Sequence, residues 1–433
     1  MDLSLQQRLQ KLSRKARARP WSIELAPRHA SGAQARRLTL LAPPEAGREI
    51  MLRAHNAVLL LQPASLRVRH PRGAEPPQQL LEDLRAIHAL PIAWGEGDMP
   101  TMSRGVVDLP AIEQPAPRRR SSGLAVGLDI GGTGMKACAL LHGQVVRRAH
   151  ARTWPEGERG LQSLLDRSRD LVRDVSLGEP IQSLGIGFAS PMGLGGKVVA
   201  LSTVMRQKLG DLEVLSDFPA RVAEGLVSGP VACYNDLANL GRKLSGQGRR
   251  RLLRLQIGTS FGGCWIDADG TVNAVELGRM VVDPSEQARP HTYLPLRGAM
   301  KSYLSGYGVG LTLGGLLGEP VSAWDSGYRL AEGLRAGDAH GQATADWIAR
   351  MLMGAVDEAC SVLPGLREVE VGGSMLQGHT GRLIRNRVRD LLDLAESAPS
   401  FAVASDPGYD GALAAALAPL VDAPLRGMRR LVG

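Results

Sequence analysis

The segment Leu124-Ala-Val-Gly-Leu-Asp-Ile-Gly-Gly-Thr-Gly-Met-Lys-Ala-Cys-Ala-Leu-Leu141 decides how this chain of 433 residues is interpreted. An apolar strand leads to Asp129, and a second apolar strand follows a glycine-rich turn. Glycines lack a Cβ, so the backbone N–H groups of such a hairpin can approach a phosphate closely. Asp129 is a candidate to hold Mg²⁺, through water, against phosphate oxygens. An ordinary tight hairpin with a capping Asp is the alternative interpretation. The candidate phosphate-binding residues are Gly131, Gly132, Thr133, Gly134 and Lys136.

A second glycine hairpin, Leu255-Gln-Ile-Gly-Thr-Ser-Phe-Gly-Gly-Cys-Trp-Ile266, repeats this order of strand, turn and strand. Its candidate phosphate-binding residues are Gly258 and Thr259. One short glycine motif is weak support for phosphate binding, because such motifs recur by chance. Two of them, each opening one half of an alternating strand–helix pattern, fit a clamp on the phosphates of a nucleotide. The sequence therefore predicts two similar α/β lobes around a cleft.

Asn235 and Asp236 follow the apolar run Val231-Ala-Cys-Tyr234, which is predicted to be a buried strand. Active sites of α/β sheets lie at the carboxyl ends of such strands. Asp236 is therefore the candidate general base that takes a proton from an attacking hydroxyl. Asn235 is the candidate donor to a substrate hydroxyl. An Asp that caps the following helix is the alternative role for Asp236.

Three further positions complete the candidate site. Glu276 follows the second hairpin, and its carboxylate suits two sugar hydroxyl groups. Arg279 is a candidate to face the same cleft. Gly372 and Gly373 end a predicted strand, where a nucleoside can lie flat against bare backbone. The alternative for Glu276 and Arg279 is a position on the surface. The alternative for the two glycines is a simple turn from strand to loop.

This ordered set resembles the ROK family of sugar kinases and repressors, over about residues 123–420. The resemblance implies an α/β, two-lobed actin-like ATPase fold of the ribonuclease H type, as in hexokinase. It also implies ATP as phosphoryl donor, Mg²⁺, and Asp236 as the base. The motifs that carry it are Leu128-Asp-Ile-Gly-Gly-Thr-Gly-Met-Lys136 and Ile257-Gly-Thr-Ser-Phe-Gly-Gly263 for phosphate, Gly185-Ile-Gly-Phe-Ala-Ser-Pro191 on the sugar side, Tyr234-Asn-Asp-Leu-Ala-Asn239 for catalysis, Glu276-Leu-Gly-Arg279, and Val369-Glu-Val-Gly-Gly373 for adenosine.

Two departures from the family pattern bear on the substrate. Arg279 stands where the family has a histidine after Glu-x-Gly. The cysteine-rich zinc motif that follows in the family is absent, because Asp283-Pro-Ser-Glu-Gln-Ala-Arg-Pro-His291 contains no cysteine, and no zinc site is predicted. A polyphosphate-using glucokinase branch of the family also lacks it. An arginine in the sugar pocket favours an acidic or phosphorylated substrate, or else marks a site without turnover.

Composition limits the class of protein. The hydrophobic fraction is 44%, yet no stretch approaches the ~18 apolar residues of a membrane span. The N-terminus lacks the basic head and apolar core of a secretory signal. The four cysteines form no CxxC pair, which indicates free thiols, most of them buried, in a reducing compartment. A cytoplasmic protein without a membrane segment is predicted.

The positive charge is concentrated at the N-terminus. Residues 1–122 contain 19 Lys and Arg against 11 Asp and Glu, whereas the whole chain has a net charge of +9. An anionic partner is one explanation of this charge, and a solvated basic face is the alternative. The predicted parts are a basic α+β module of unknown role (1–95), a Pro/Arg-rich linker (96–122), a lobe with the first phosphate hairpin and Asp236 (123–245), and a lobe with the second hairpin and the adenosine motif (246–433).

Within the module, the pattern predicts a basic amphipathic helix over 3–18, short strands over 37–42 and 50–69, and a helix over 78–90. The strands include Arg48-Glu-Ile-Met-Leu-Arg53 and Ser65-Leu-Arg-Val-Arg69. No helix–turn–helix pattern of the kind used by ROK repressors is found, so nucleic acid binding has no motif to support it.

The resulting hypothesis is an ATP-dependent kinase that phosphorylates a hydroxyl of a sugar or amino sugar. A sugar-sensing regulator or pseudokinase that uses the basic module is one alternative, and a polyphosphate-dependent kinase is another. The predicted partners are a small sugar and ATP, with a homodimer as an open question.

Overall fold

The structure of the protein is a computed structural model. It describes residues 5–14, 19–26, 36–61, 63, 65–71, 74–75, 77–88, 92–95, 123–155, 158–190, 192, 198, 201–210, 215, 217–292, 294–323, 325–363, 365–392, 399–404, 409–420 and 425–426. The predicted linker 96–122 lies outside these ranges.

The N-terminal module is a four-stranded sheet with helices against it. The strand order is β2-β1-β3-β4, and the β3–β4 pair is parallel, whereas β1 is antiparallel to both β2 and β3. Its elements are α1 (Leu5–Ser13), β1 (Arg19–Ala26), β2 (Arg36–Ala42), α2 (Gly47–Leu61), β3 (Ser65–Arg69), α3 (Gln78–His88) and β4 (Ile92–Gly95).

The predicted strands over 48–61 are wrong, because Gly47–Leu61 is one α-helix. The predicted strand Ser65–Arg69 is confirmed. Residues 50–60 of the helix are all buried, so it has no exposed face to impose a helical period on the sequence. A short apolar run such as Ala57–Leu61 cannot be assigned to helix or strand by periodicity alone.

The first lobe is built on a five-stranded sheet of order β7-β6-β5-β8-β9. Strands β5, β8 and β9 run parallel, and β6 and β7 run antiparallel to their neighbours. Its elements are β5 (Leu124–Ile130), β6 (Gly134–Leu141), β7 (Gln144–Arg152), α4 (Leu161–Ser176), β8 (Ile181–Phe188), α5 (Thr203–Leu209), α6 (Phe218–Ala223), β9 (Val231–Asn235) and α7 (Asp236–Gly246).

The second lobe repeats this topology. Its sheet order is β14-β13-β10-β11-β12, extended by β15 at the β12 edge. Each lobe thus has an antiparallel three-strand meander followed by two parallel strands, with a glycine hairpin between its first two strands. The elements are β10 (Leu252–Ile257), β11 (Phe261–Ile266), β12 (Val272–Val275), α8 (Lys301–Leu304), α9 (Gly306–Leu317), α10 (Ser326–Arg335), α11 (Ala339–Val362), β13 (Glu368–Gly372), α12 (Gly378–Leu392), β14 (Ser400–Val403), α13 (Asp410–Leu417) and β15 (Leu425–Arg426).

The two lobes exchange their last helices. Helix α7 follows the first sheet but packs on β11 and β12 of the second, and α13 follows the second sheet but packs on β5 and β8 of the first. The close approach of α13 needs glycine, because a Cβ on Gly127 would lie 2.0 Å from the Ala412 carbonyl oxygen, and one on Gly185 would lie 1.7 Å from that of Ala415. The final helix, predicted within the second lobe, thus covers the first sheet.

The N-terminal module shares one hydrophobic core with the second lobe. Helix α2 packs against α11 as well as against its own module, and apolar residues of both belong to the same buried cluster. A buried ion pair joins the two parts, with Arg53 Nε 2.9 Å from Glu358 Oε1 and both side chains at most 2% exposed. The module is therefore an integral layer of the second lobe.

Candidate functional site

The two glycine hairpins meet at their tips. Thr133 Oγ1 lies 2.7 Å from Thr259 Oγ1, so residues far apart in sequence form a hydrogen bond across the cleft. Each turn is closed by its own backbone, with Gly131 N donating to Gly134 O (3.0 Å) and Gly258 N donating to the oxygen of Ser260 (2.9 Å). The two polar tips therefore face each other at the same end of the cleft.

Asp129 ends β5 and is enclosed by closely packed backbone. A Cβ on Gly411 would lie 2.3 Å from its Oδ2, and one on Gly187 would lie 3.4 Å from its Oδ1. Burial raises the pKa of Asp129 to about 6, which Lys136 opposes and Asp410 reinforces. A carboxylate that is enclosed by backbone and lies near other carboxylates is suited to a divalent cation such as Mg²⁺. The positive charge of the cation would compensate the repulsion between the carboxylates.

Asp236 begins α7, directly after the buried end of β9, and its neighbour Asn235 is the helix cap. Asn235 Oδ1 accepts from Leu237 N (3.0 Å) and Ala238 N (3.2 Å), while its Nδ2 donates to Ser190 O (3.2 Å). The capping role considered for Asp236 therefore falls to Asn235. That leaves Asn235 one amide N–H for a ligand.

The pKa of Asp236 is raised to about 8. Burial is the main cause, and the charges of Asp129 and Glu276 add to it, whereas the N–H of Leu237, 3.0 Å from Oδ1, lowers it. A Cβ on Gly187 would lie 3.5 Å from the Asp236 Cα and 3.4 Å from Asp129 Oδ1, so the two acids flank this glycine. The structure thus brings both predicted acids together at the hairpin edge of the first sheet.

Lys136 lies opposite Asp129 in the β5–β6 ladder. Its ammonium is 5.9 Å from the centroid of the Tyr409 ring, and its charge acts on Asp129. In this structure the positive charge of Lys136 partly compensates the negative charge of Asp129. The predicted contact of Lys136 with phosphate stays a prediction.

A short 3₁₀ turn, Leu277–Arg279, follows β12. Glu276 directly precedes this turn, and Arg279 is its last residue. Glu276 is partly exposed and acts on Asp236 by its charge, which puts it on the cleft side. Arg279 is only 7% exposed. A Cβ on Gly278 would lie 2.6 Å from the carbonyl oxygen of Phe261, so the turn presses directly on the second hairpin.

The N-terminal module holds this turn and the residues after it. Asn56 Nδ2 donates to Val281 O and Val281 N donates to Asn56 Oδ1, both at 2.8 Å. His55 Nε2 lies 2.8 Å from the carbonyl oxygen of Arg279, and its Nδ1 lies 2.7 Å from His88 Nε2. Because a carbonyl oxygen only accepts, the Nε2 of His55 carries the proton. Burial lowers the pKa of His55 to about 4, so it is neutral at pH 7.

Gly372 and Gly373 are required by packing. A Cβ on Gly372 would lie 2.0 Å from Nη2 of Arg254, and one on Gly373 would lie 2.0 Å from the carbonyl oxygen of Ile257. Gly373 also has a φ of 108°, which other residues rarely adopt. The two glycines thus allow the end of β13 to pack closely against β10, beside the second hairpin. Their predicted contact with a nucleoside stays a prediction.

Sequence reasoning missed a buried charge network that ties the lobes together. Arg254, with a fully buried side chain, lies 2.5 Å from Glu370 Oε2 and 2.9 Å from Asp410 Oδ2, and Lys243 also pairs with Asp410. These residues come from β10, β13, α13 and α7. A charged residue inside the otherwise apolar run of β10 was the available signal, since a buried arginine needs carboxylate partners.

Cys138, Cys233 and Cys264 are buried free thiols, whereas Cys360 is exposed. Among the described residues, no group of three or more His, Cys, Asp or Glu side chains is arranged to hold a metal ion. The helices in the described ranges include none that is long and apolar enough to cross a membrane.

No known protein family model and no curated protein matches the sequence. Solved structures do resemble it. A ROK family glucokinase from Streptomyces griseus, determined with glucose and AMPPNP, superposes with a TM-score of 0.55 at 21% identity, covering 68% of this chain and 98% of that chain. A ROK hexokinase from Thermus thermophilus gives 0.51 at 20% identity, covering 68% and 97%.

A ROK family transcriptional regulator, a homologue of the Escherichia coli Mlc protein, gives a TM-score of 0.51 at 16% identity, covering 70% of this chain and 79% of that chain. The protein therefore has the two-lobed, actin-like fold of ROK proteins, as predicted. Both kinases and a regulator share this fold, so the fold alone does not select between them.

Proposed function

We propose that this protein is a ROK sugar kinase that transfers the γ-phosphoryl group of MgATP to a sugar hydroxyl. The observation that carries the proposal is Asp236, a carboxyl group directly after the edge strand β9, beside Asp129, whose pKa is raised to about 8. A general base works best with a pKa near the working pH. The tips of both hairpins, Thr133 and Thr259, lie at the same cleft.

In the proposed reaction Asp236 accepts the proton of the sugar hydroxyl while that oxygen forms a bond to the γ-phosphorus. The bond between the γ-phosphorus and its bridging oxygen breaks, and ADP leaves with the electron pair. Backbone N–H groups of the two glycine turns hold the phosphates, apart from those of Gly131 and Gly258, which close the turns. Mg²⁺, when bound, would neutralise phosphate charge, and Asp129 would hold it through water. Glu276 and the free N–H of Asn235 position the sugar, and Gly372–Gly373 border the nucleoside.

The test is ADP release from MgATP in the presence of hexoses, N-acetylated amino sugars, sugar acids and sugar phosphates. We expect sugar-dependent release that falls about 10²–10⁴-fold in Asp236→Asn, because a positioned general base contributes that much. Asp170→Asn, on the exposed surface of α4, is the matched control and retains activity. Sugar-dependent release that survives unchanged in Asp236→Asn would contradict the assigned base. Polyphosphate in place of ATP tests the alternative donor.

The basic N-terminal region favours one further candidate, a regulator that binds nucleic acid. Residues 1–122 carry most of the net positive charge, and a ROK regulator shares the fold. Such binding would weaken steeply with salt, since cations on the protein displace counterions from phosphates. The buried face of α2 packs against the second lobe of the same chain. This packing supports a role of the module at the cleft rather than in binding nucleic acid. DNA binding that depends on salt, measured beside ADP release, separates the two.

A further inference from the structure

Arg279 has unused hydrogen-bonding capacity at a buried position. Its Nε and Nη1 have no hydrogen-bond partner among the described residues, although the residue is only 7% exposed. A guanidinium group does not lose its proton in a protein, so these groups remain charged donors. A buried charge without a partner is costly, and native structures normally supply one. An anion that reaches Arg279 would supply both the missing acceptors and the opposite charge.

The surroundings of Arg279 are short of negative charge. Burial lowers the pKa of Lys301, Glu276 opposes this, and the charge of Arg279 lowers it further, which puts two cations beside one carboxylate. Burial, followed by the charges of Lys301 and Arg279, lowers the pKa of His291 to about 3, so it adds no charge at neutral pH. Lys301 also lies beside the turn that carries Arg279, because a Cβ on Gly278 would lie 3.4 Å from the Cβ of Lys301.

The position of this cluster relative to Asp236 follows from Glu276. The charge of Glu276 acts on both Asp236 and Lys301, and the turn that carries Glu276 and Arg279 packs against Phe261 of the second hairpin. A sugar that presents one hydroxyl to Asp236 and others to Glu276 would extend toward Lys301 and Arg279. The cationic cluster then contacts the end of the substrate remote from the hydroxyl that reacts.

We propose that the substrate is an anionic sugar, whose carboxylate or phosphate is bound by Arg279 together with Lys301. This inference rests on the proposed kinase function and names the substrate class. The planar fork of an arginine matches a carboxylate or a phosphate with two parallel hydrogen bonds. Occupation by such a group supplies acceptors for Nε and Nη1 of Arg279.

The experiment compares ADP release with glucose, glucuronate, gluconate, glucose 1-phosphate and glucose 6-phosphate in wild type and three variants. In wild type we expect the kcat/KM of at least one anionic sugar to exceed that of glucose by about 10–100-fold, the range of charge-assisted hydrogen bonds. Arg279→Gln removes that preference, mainly by raising the KM of the anionic sugar. Arg279→Lys keeps the charge and part of the preference. The carboxylate and phosphate arms identify which anion fits.

Arg329→Gln is the matched control, because it removes an ion-paired but exposed arginine in the same lobe. Melting temperatures check that each variant folds. Wild type that prefers glucose, with the same preference in Arg279→Gln, overturns the inference and leaves the kinase function standing.

Absence of turnover with every sugar contradicts the kinase function, and calorimetric titration of glucuronate and glucose 6-phosphate then decides the anion site by itself. Binding to wild type that is lost in Arg279→Gln supports the site. No binding to wild type, or equal binding to both proteins, overturns it.

Discussion

The two sides of the cleft are held by different means. On the first lobe, Asp129, Asp236 and the first hairpin are fixed by the sheet that carries them and by α13 packed against it. On the second lobe, the turn with Glu276 and Arg279 is fixed by His55 and Asn56, from a module more than two hundred residues earlier in the chain. The first arrangement is local and can be recognised from a motif. The second depends on a long-range contact that has no motif of its own.

The buried ion pair between the module and the second lobe provides the largest expected effect. Arg53→Met alone should destabilise the protein by about 3–5 kcal/mol, because Glu358 would remain buried and unpaired. Arg53→Met combined with Glu358→Leu should lie close to wild type, because apolar packing replaces the pair. Urea midpoints measure both.

The exposed pair Arg329–Glu319 is the control, and Arg329→Met should change stability by less than about 1 kcal/mol. If Arg53→Met lowered the stability as little as this control does, the ion pair between Arg53 and Glu358 would not fix the module to the second lobe.

Asn56→Ala tests whether the module positions the substrate turn. Both backbone groups of Val281 would lose their partner, and an unsatisfied buried group costs about 1–3 kcal/mol. We expect lower stability and a KM for the sugar that rises several-fold, with kcat and the KM for ATP less affected. Steady-state kinetics measure the split. Gln79→Ala, at an exposed site of the module, should change none of these. An unchanged sugar KM in a clearly destabilised Asn56→Ala would reduce the module to a structural role.

The smallest expected effect concerns the first lobe and has the opposite sign. The pKa of Asp236 is about 8 when folded and near 4 when unfolded, so the folded state retains a proton that the unfolded state loses. Stability contributed by this group therefore falls as the pH rises from about 4 to 8. Asp236→Asn removes this dependence and should raise the melting temperature by a few degrees at pH 8, and by less at pH 5. A gain that is equal at both pH values would show that titration of Asp236 is not its cause.

Much of the first lobe and the two glycine hairpins could be predicted from the sequence, because strand, glycine turn and strand follow one another directly. Asp129 and Asp236 come together because β5 and β9 lie on either side of β8, and both acids flank Gly187 of that strand. Other features could not be predicted. Helix α2 carries buried residues on every side, which hides its period, and the contacts of Asn56 depend on how the module docks. Gly372 and Gly373 were recognised, but their close approach to Arg254 and Ile257 depends on tertiary packing.

The exchange of α7 and α13 between the sheets has a consequence for how the protein folds. One face of each sheet receives its covering helix from the other half of the chain, whereas α4 of the first lobe covers the opposite face of the first sheet. A polypeptide cut at 245/246 would leave the α13 face of strands β5 and β8 uncovered. The lobes are thus expected to unfold as one cooperative unit, and the duplicated halves are mutually dependent although their topologies are alike.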